Sequence, residues 1–353
     1  MGRGAIAVKA LVTGGSGFLG RVIVEQLVAR GDRVRSFARG NFPDRVGLDV
    51  EVMRGDVCDA DAVRKACSGC DVVFHVAAKS GIWGPYKAYY EPNVLGTNNV
   101  LAACRTCGIG RLVHTSSPSV VFDGRNMEGV NESVPYPAKY ISNYSATKAM
   151  AERAVLGANG YSLRTIALRP HLIWGPRDSH MLPRFIAQQK AGKLRRIGDA
   201  NNKIDTTYVD NAAHAHLLAA EALQKNPQAA GKAYFLSQGE PIAVWDIINA
   251  MLKAAGLPPV TRSVPRFVGS SAGAILETAY RIFRIKGEPR MTRFVANMLC
   301  TSHWFDISAA QRDLGYAPQV TISEGLRRLE AWINRHEGVL PRNSNDAQTR
   351  LSL

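Results

Sequence analysis

The stretch Thr13–Gly20, TGGSGFLG, decides the fold of this chain. It places Gly14, Gly17 and Gly20 at intervals of three residues, after the apolar run 8–13 and before the amphipathic segment 21–32. In a turn of this kind the first glycine makes the tight bend and the second admits a pyrophosphate. The third lets the helix pack against the strand. The unpaired N–H groups at the start of the helix bind the anion. The pattern therefore predicts a dinucleotide-binding turn between the first strand and the first helix.

Beyond this turn, strand and helix patterns alternate as far as residue 170. The predicted strands are short and mostly apolar, and they cover 33–39, 50–57, 70–78, 111–117 and 163–170. Apolar strands that alternate with amphipathic helices are typical of a parallel sheet covered by helices on both faces. The predicted fold class is therefore α/β, with a doubly wound parallel sheet of the Rossmann type.

The regular alternation weakens after residue 171, where irregular segments rich in proline and glycine appear. One more strand-like piece, 231–238, is a candidate to return to the main sheet. We therefore expect a dinucleotide-binding domain over 8–171, completed by 204–240. A smaller, mostly C-terminal substrate domain is expected to comprise 172–203 and 241–335. The polar stretch 340–353 is predicted to be disordered.

The chain has a formal net charge of +15, from 44 basic and 29 acidic residues. Much of the basic excess lies in 184–203 and 262–293, but no nucleic-acid-binding module surrounds either stretch, so we expect no nucleic-acid partner. No run of 18 apolar residues is present, so we expect no transmembrane segment. The N-terminal residues show no signal peptide pattern, and this predicts a cytoplasmic protein.

Four of the six cysteines form two CxxC pairs, Cys67/Cys70 and Cys104/Cys107. Such pairs can hold zinc, but the gap between them is long for a zinc ribbon. Each pair also ends a helix pattern just before a strand pattern, so the alternating fold explains its position without a metal. We therefore predict free thiols and no metal site.

The end of the second predicted strand indicates which dinucleotide is bound. NAD-binding proteins tend to place a carboxylate there, whereas this chain has Arg39, which can pair with a 2′-phosphate. NADP(H) is therefore the predicted cofactor, unless Arg39 is merely solvated and both dinucleotides are accepted. Asp56, after the third strand, could accept the adenine amino group. Alternatively it caps the next helix, a position that Asp59 could fill equally well.

Tyr144 and Lys148 lie four residues apart in a predicted helix, so they share one face. The helix follows a strand that ends in Thr115-Ser116-Ser117, and ligands bind at the carboxyl ends of such strands. A lysine ammonium beside a phenol lowers its pKa, and the phenol could then exchange a proton with a substrate oxygen. The alternative is an ordinary amphipathic helix with a half-buried tyrosine and a snorkelling lysine.

Together these motifs resemble the extended short-chain dehydrogenases/reductases, from about residue 8 to about 335. The resemblance is carried by TGGSGFLG, GDVCD (55–59), HVAA (75–78), TSSPSVVF (115–122), YSATK (144–148) and LRPHLIWGPRD (168–178). It implies catalytic roles for Ser117, Tyr144, Lys148 and Asn93. Because Phe122 lies one residue farther from this serine run than usual, Ser116 stays an alternative to Ser117. The cofactor contacts that the resemblance implies are Gly14, Ser16, Gly17, Phe18, Leu19, Gly20, Arg39, Asp56, Val57, Ala77, Tyr144, Lys148 and Pro170.

Within this family the segment 203–219 resembles the 3β-hydroxysteroid dehydrogenase branch, and several segments resemble its olefin-forming bacterial members. This resemblance implies reversible, NADPH-dependent reduction of a 2-alkyl-3-oxoalkanoic acid with long alkyl chains, in long-chain olefin biosynthesis. The alternatives are a 3β-hydroxysteroid or 4α-carboxysterol 3-dehydrogenase and a non-catalytic NADP-sensing protein. The resemblance further implies a homodimer, and a complex with the other pathway enzymes is a hypothesis. Residues 266–285 are predicted to form a lid, a peripheral membrane contact or a packed helix.

Overall fold

The computed structural model describes residues 8–42, 49–179, 181–198, 201–285 and 287–336. Strands and helices alternate through the first half of these ranges, as the sequence pattern predicts. The strands are β1 Lys9–Thr13, β2 Arg33–Ala38, β3 Val50–Arg54, β4 Val72–His75, β5 Arg111–Thr115, β6 Met127–Val130, β7 Arg164–Pro170, β8 Ile173–Trp174, β9 Arg196–Ile197, β10 Lys203–Ile204, β11 Thr207–Tyr208, β12 Lys232–Leu236, β13 Ile242–Ala243, β14 Ser263–Val264 and β15 His303–Phe305. The helices are α1 Phe18–Ala29, α2 Ala60–Cys67, α3 Tyr86–Tyr90, α4 Gly96–Thr106, α5 Asn143–Gly157, α6 Met181–Lys190, α7 Val209–Lys225, α8 Val244–Ala254, α9 Arg266–Ile282, α10 Arg293–Cys300, α11 Ser308–Leu314 and α12 Ile322–Arg335.

Seven parallel strands form the main sheet in the order β12-β7-β5-β4-β1-β2-β3. The strand β1 lies inside the sheet, where Ala10 pairs with Val34 of β2 on one side and with Val72 of β4 on the other. The strand order reverses at β1, and such a switch point opens a crevice at the carboxyl ends of the strands. The doubly wound α/β fold is confirmed, and the predicted dinucleotide turn lies at this crevice.

Successive residues of β1 supply the cores on opposite faces of the sheet. Ala10 and Val12 are fully buried in a cluster with residues of α1 and α7. Leu11 is buried in a second cluster with residues of α2 and α4. Because side chains alternate across a strand, an apolar run without polar interruptions requires helices on both faces.

The strand β12 joins the edge of the main sheet, where Lys232 pairs with Ile166 of β7. The sequence pattern of 231–238 indicated this return. A second sheet has the order β13-β10-β15-β6. In it, β6 pairs with β15 although the predicted boundaries assign these two strands to different domains. The domain boundaries stay a prediction, and 340–353 lies outside the described residues.

The helices α3 and α4 are joined without a loop by a π-helical turn, Glu91–Leu95. Turns of this kind place an extra residue in the helix and often occur at functional sites. Asn93 lies inside this turn and is buried. The sequence patterns indicated a helix here but not the π-helical turn.

Candidate active site

The glycine turn has the close packing that its spacing predicts. Gly14 adopts a left-handed φ of +71°, and its N–H donates to the carbonyl oxygen of Phe37 at 2.7 Å. A Cβ atom on Gly14 would lie 2.9 Å from the backbone of Ala77, and one on Gly20 would meet the carbonyl oxygen of Gly14. Only glycine avoids both contacts, so the turn brings α1 directly against the carboxyl end of β1.

Helix α1 begins at Phe18, and Gly17 is the N-cap, where no side chain accepts a hydrogen bond from the first turn. Gly17 is exposed and Ser16 is half-buried, whereas Leu19 is buried in the core. The first turn of α1 therefore presents N–H groups toward the crevice, and this arrangement fits a dinucleotide pyrophosphate.

Two guanidinium groups lie at the tips of β2 and β3. The Arg39 side chain is exposed and its Nη1 is 3.9 Å from Oδ2 of Asp56. Arg54, which the sequence reasoning missed, donates from Nε to the carbonyl oxygen of Arg39 at 3.4 Å.

Asp59 caps α2 by accepting from the N–H groups of residues 61 and 62, so Asp56 is not the helix cap. Asp56 instead accepts from the N–H of Cys58 and keeps a partly exposed carboxylate beside Arg39.

The other predicted cofactor contacts also lie at carboxyl ends of strands or just beyond them. Val57 follows β3 and packs so closely on Gly96 that a Cβ there would lie 2.6 Å from the Val57 side chain. Ala77 follows β4, and its N–H donates to Oγ1 of Thr13 at 3.2 Å. Pro170 ends β7 and is buried.

Lys148 is buried on α5 and is held by the neighbouring strand β5. Its Nζ donates to the carbonyl oxygen of Thr115 at 2.6 Å and lies 3.2 Å from Nε2 of His114. Burial lowers the pKa of Lys148 to about 8, although the carboxylate of Glu152, one turn farther along α5, opposes this effect. Below that pH the Lys148 side chain is a charged ammonium held by these two contacts. Above it, at a pH not far from neutrality, the ammonium loses its proton.

Tyr144 lies one turn before Lys148 and is half-buried. Burial raises the pKa of its phenol, while a hydrogen bond with the Ser117 side chain acts in the opposite direction. The expectation that Lys148 lowers this pKa is wrong for this arrangement. Because the Lys148 ammonium is directed to Thr115 and His114, burial dominates the environment of the phenol.

The two candidate serines have different surroundings. The Ser117 side chain lies close enough to the Tyr144 phenol to oppose the rise of its pKa, and its Oγ donates to Oγ of Ser119 at 3.0 Å. The Ser116 side chain is buried, and its Oγ has no hydrogen-bond partner in the part of the chain that the structure describes. The structure therefore brings Ser117, and not Ser116, to the phenol.

Asn93 ties the π-helical turn to the loop after β4. Its Oδ1 accepts from the N–H of Lys79 at 2.7 Å, and its Nδ2 donates to the Lys79 carbonyl oxygen at 3.1 Å. The same Nδ2 lies 3.0 Å from Oγ1 of Thr147, the residue before Lys148. One buried amide therefore holds both the helix that carries Tyr144 and Lys148 and the loop that begins at Lys79.

A chain of buried polar side chains behind Lys148 was not expected from the sequence. His75 contacts Oγ1 of Thr13 at 2.8 Å and Oγ1 of Thr97 at 2.9 Å, and its ring centroid lies 5.2 Å from that of His114. Burial lowers the pKa of His75 to about 3 and that of His114 well below its ordinary value. Both rings are therefore neutral at physiological pH. The signal was a histidine inside each of two apolar strands, HVAA and RLVHTSS.

All six cysteines are free thiols. Cys67 and Cys104 are fully buried in the core between α2 and α4. Over the described ranges, no group of three or more histidine, cysteine, aspartate or glutamate side chains is placed to hold a metal ion.

Comparisons with known proteins identify relatives of this chain. A model of the 3-beta hydroxysteroid dehydrogenase/isomerase family matches residues 11–266. A 2-alkyl-3-oxoalkanoate reductase of Shewanella oneidensis is 48% identical over 93% of this chain and 87% of the relative. A protein of the same description from Stenotrophomonas maltophilia is 50% identical over 92% of this chain and 98% of the relative. A decarboxylating sterol-4-alpha-carboxylate 3-dehydrogenase of Homo sapiens is 34% identical over 91% of this chain and 87% of the relative.

A solved structure, MoeE5 in complex with UDP-glucose and NAD, has the same fold. It superposes with a TM-score of 0.72 at 25% identity, over 93% of this chain and 99% of that one. The family match covers more than half of the chain, and the relatives align over almost all of it. The chain therefore belongs to the 3-beta hydroxysteroid dehydrogenase/isomerase family, and it is an oxidoreductase of the extended short-chain dehydrogenase/reductase type.

Proposed function

We propose that this enzyme reduces a 2-alkyl-3-oxoalkanoic acid to the 2-alkyl-3-hydroxyalkanoic acid with NADPH, reversibly, in long-chain olefin biosynthesis. The observation that carries the proposal is the placement of Tyr144 beside the Ser117 side chain, with buried Lys148 one turn farther along α5 and held by the end of β5. The two relatives described as 2-alkyl-3-oxoalkanoate reductases support the substrate, since each is about half identical to this chain over more than nine-tenths of its length.

In the proposed reaction, Tyr144 gives its phenolic proton to the 3-oxo oxygen of the substrate. Its raised pKa keeps the phenol protonated at neutral pH, as a proton donor requires. Ser117 donates to the same oxygen and fixes it beside the phenol. The bound dinucleotide supplies the hydride. Lys148 and Asn93 keep α5 in place relative to β5 and the 79–85 loop, so that Tyr144 is held at the carboxyl end of the sheet.

The preference for NADP(H) over NAD(H) rests on the strand tips. Arg39 is exposed there, and Arg54 places a second guanidinium beside the Arg39 backbone. Two cations at this position favour a 2′-phosphate, because charge-assisted hydrogen bonds to phosphate are strong. We assign the neighbouring Asp56 carboxylate to the adenine amino group. The pyrophosphate would be held by the first turn of α1.

The second candidate is oxidation of a 3β-hydroxysteroid or a 4α-carboxysterol, which would use the same Tyr144 chemistry. The human sterol dehydrogenase supports it, but at 34% identity it is the more distant relative. A sensor that only binds NADP would not need the Ser117–Tyr144 pair or a buried Lys148. Both alternatives are therefore weaker than the oxo acid reductase.

We also propose that the enzyme is a homodimer that works in the cytoplasm, in a complex with other enzymes of the olefin pathway. Six free cysteines fit a reducing compartment. Light scattering gives the mass of the particle in solution, and the mass of a monomer would refute the proposed homodimer. If the protein co-purified with none of the pathway enzymes, the proposed complex would be refuted.

The test of the reaction follows the absorbance of reduced nicotinamide with a racemic long-chain 2-alkyl-3-hydroxy acid and NADP⁺. We expect stereospecific formation of NADPH. Tyr144→Phe should lower kcat by at least about a hundredfold, because general acid–base catalysis contributes that much or more. NADPH binding, followed by fluorescence, should persist in this variant. Tyr161→Phe, at a fully exposed tyrosine, is the matched control. Turnover of sterols alone would move the assignment to the second candidate, and unchanged turnover in Tyr144→Phe would refute the mechanism.

A further inference from the structure

One face of α9 is used to dock this helix on the protein. Gly269, Gly273 and Glu277 lie on it and are buried. A Cβ atom on Gly273 would lie 2.8 Å from the backbone of residues 292 and 293, so α9 meets the start of α10 at close range. Glu277 accepts from N and Nε of Arg293 at 2.7 and 2.8 Å. The buried face of α9 therefore packs against the start of α10 and is not available to a partner.

The opposite face of α9 is apolar and exposed. Phe267, Ile275 and Ile282 are exposed to 72%, 68% and 67%, and the next two apolar residues, Phe283 and Ile285, to 74% and 45%. Positions 267, 271, 275, 278 and 282 recur at helical spacing, and the two between the apolar residues are serine and threonine. We name Phe267, Ile275, Ile282, Phe283 and Ile285 the apolar stripe. Single exposed apolar residues are ordinary, but several large ones on one helix face indicate a binding surface.

Exposed basic side chains lie on α9 and on the segments that flank it in the chain. The exposed members are Arg262, Arg266, Arg281, Arg284 and Arg290. The two acidic residues of the same region are already paired: Glu277 binds Arg293, and Glu288 binds Arg184 at 2.8 Å. We name these five arginines the arginine rim; they make the exposed surface of this region positive, and its complement is an apolar surface that carries anionic groups. A second copy of this chain would bring the same arginines against it, which like-charge repulsion opposes.

The C-terminal end of α9 touches the loop that leads to the candidate active site. The ring of Tyr280 contacts that of Trp83 edge to face, with centroids 6.3 Å apart, and the Arg281 guanidinium lies 5.9 Å from the Trp83 ring. The Trp83 carbonyl oxygen accepts from the hydroxyl of Tyr89 at 2.9 Å. Asn93 fixes Lys79 at the start of the same loop. The C-terminal end of α9 is thus connected through Trp83 to the loop that Asn93 ties to α5.

We propose that α9 is an interfacial helix that seats the enzyme on an anionic lipid surface. The apolar stripe enters the headgroup region, and the arginine rim binds lipid phosphates. Within the described ranges, no helix is long and apolar enough to cross a bilayer. The binding itself is independent of the proposed reaction. The purpose of lipid binding rests on the proposed reaction, because a long-chain acid substrate partitions into lipid and would reach the active site from there.

The experiment is flotation of the full-length protein with lipid vesicles. Vesicles of phosphatidylcholine with phosphatidylglycerol are compared with vesicles of phosphatidylcholine alone, at low and high salt. We expect binding to the anionic vesicles that weakens with salt. The triple variant Phe267→Ser, Ile275→Ser, Ile282→Ser should bind at least about tenfold more weakly, since three large apolar side chains are lost from the interface. All three positions are exposed, so the fold should persist.

Tyr161→Ser is the matched control, because Tyr161 is a fully exposed aromatic residue outside α9. It should float with the anionic vesicles like the unchanged protein. Absence of flotation, or equal flotation of the triple variant, would overturn the proposal. A triple variant that changes oligomeric state in light scattering, with no flotation of the unchanged protein, would make the stripe a protein contact instead. Activity of the triple variant on a short-chain substrate is measured separately, so failure of the reaction and failure of the lipid contact remain distinguishable.

Discussion

The ion pair between Glu152 and Arg169 is fully enclosed next to the proposed active site. The Glu152 side chain is 0% exposed and that of Arg169 is 3% exposed. Nε and Nη2 of Arg169 donate to the two carboxylate oxygens at 2.9 and 2.7 Å, and the Tyr136 hydroxyl donates to Oε1 at 2.6 Å. Although burial lowers the pKa of Arg169, the carboxylate of Glu152 outweighs it and raises that pKa. The buried charge of Glu152 and that of Arg169 therefore compensate each other, and removal of either one would leave the other without a counterion.

Glu152→Gln keeps the shape of the side chain and removes its charge. The Arg169 guanidinium would then be buried without a counterion, and a glutamine amide would face its N–H donors. Breaking a buried pair in this way costs about 3–5 kcal/mol of unfolding free energy. Urea unfolding followed by circular dichroism measures the change. Glu221→Gln is the control, because the Glu221 side chain is 41% exposed in its pair with Arg30, and such a pair contributes about 0.2–1 kcal/mol.

A double variant separates the buried charge from the loss of packing. With Glu152→Met and Arg169→Met together, no uncompensated charge remains, so the loss should be smaller than that of Glu152→Gln. The reasoning would be refuted if Glu152→Gln cost no more than Glu221→Gln, or if the double variant were the less stable one.

Glu152 also acts on Lys148, because its carboxylate raises the pKa of the lysine against the effect of burial. Removal of this charge should lower the pKa of Lys148 below about 8. The alkaline limb of the kcat/KM profile would then move to lower pH. If the alkaline limb stayed at the same pH in Glu152→Gln, the ionisation of Lys148 would not be its cause.

Three further predictions concern the cofactor, the pH profile and stability. Arg39→Gln should raise the KM for NADPH by about 10- to 100-fold, because a charged hydrogen bond contributes about 1.5–3 kcal/mol. The KM for NADH should stay unchanged. An equal rise in the KM for both dinucleotides would contradict the proposal that Arg39 binds the 2′-phosphate. In the unchanged enzyme, kcat/KM should fall as the pH rises through about 8, where Lys148 loses its proton, and Lys148→Arg should abolish that fall if it retains activity. Burial raises the pKa of Asp205 to about 6, above its unfolded value of about 3.9. The folded state thus binds more protons between these values, and stability is lost as the pH rises through 6. Asp205→Asn should therefore stabilise the protein by up to about 3 kcal/mol at pH 8 and by very little near pH 3, below both pKa values, as measured by urea unfolding. Equal effects at both pH values would show that the pKa of Asp205 is not raised in the folded state.

The sequence by itself determined the fold class, the dinucleotide turn and the pairing of Tyr144 with Lys148 on one helix face. Each of these depends on a pattern within a short window. The glycine spacing sets the turn, the apolar periodicity separates strands from helices, and a four-residue interval joins two side chains on one helix face. The location of the site at the carboxyl end of the sheet followed from the same patterns, because parallel strands end at one edge.

Only the tertiary structure decided the environment of each side chain. Lys148 is held by Thr115 and His114, which lie 33 and 34 residues away in the sequence. Arg54 reaches the Arg39 backbone because β3 lies beside β2. The raised pKa of Tyr144 contradicts the expectation from Lys148 alone, because burial and the direction of a lysine ammonium are consequences of packing. Solvent exclusion and hydrogen bonds between distant segments set these properties, and no local pattern in the sequence carries them.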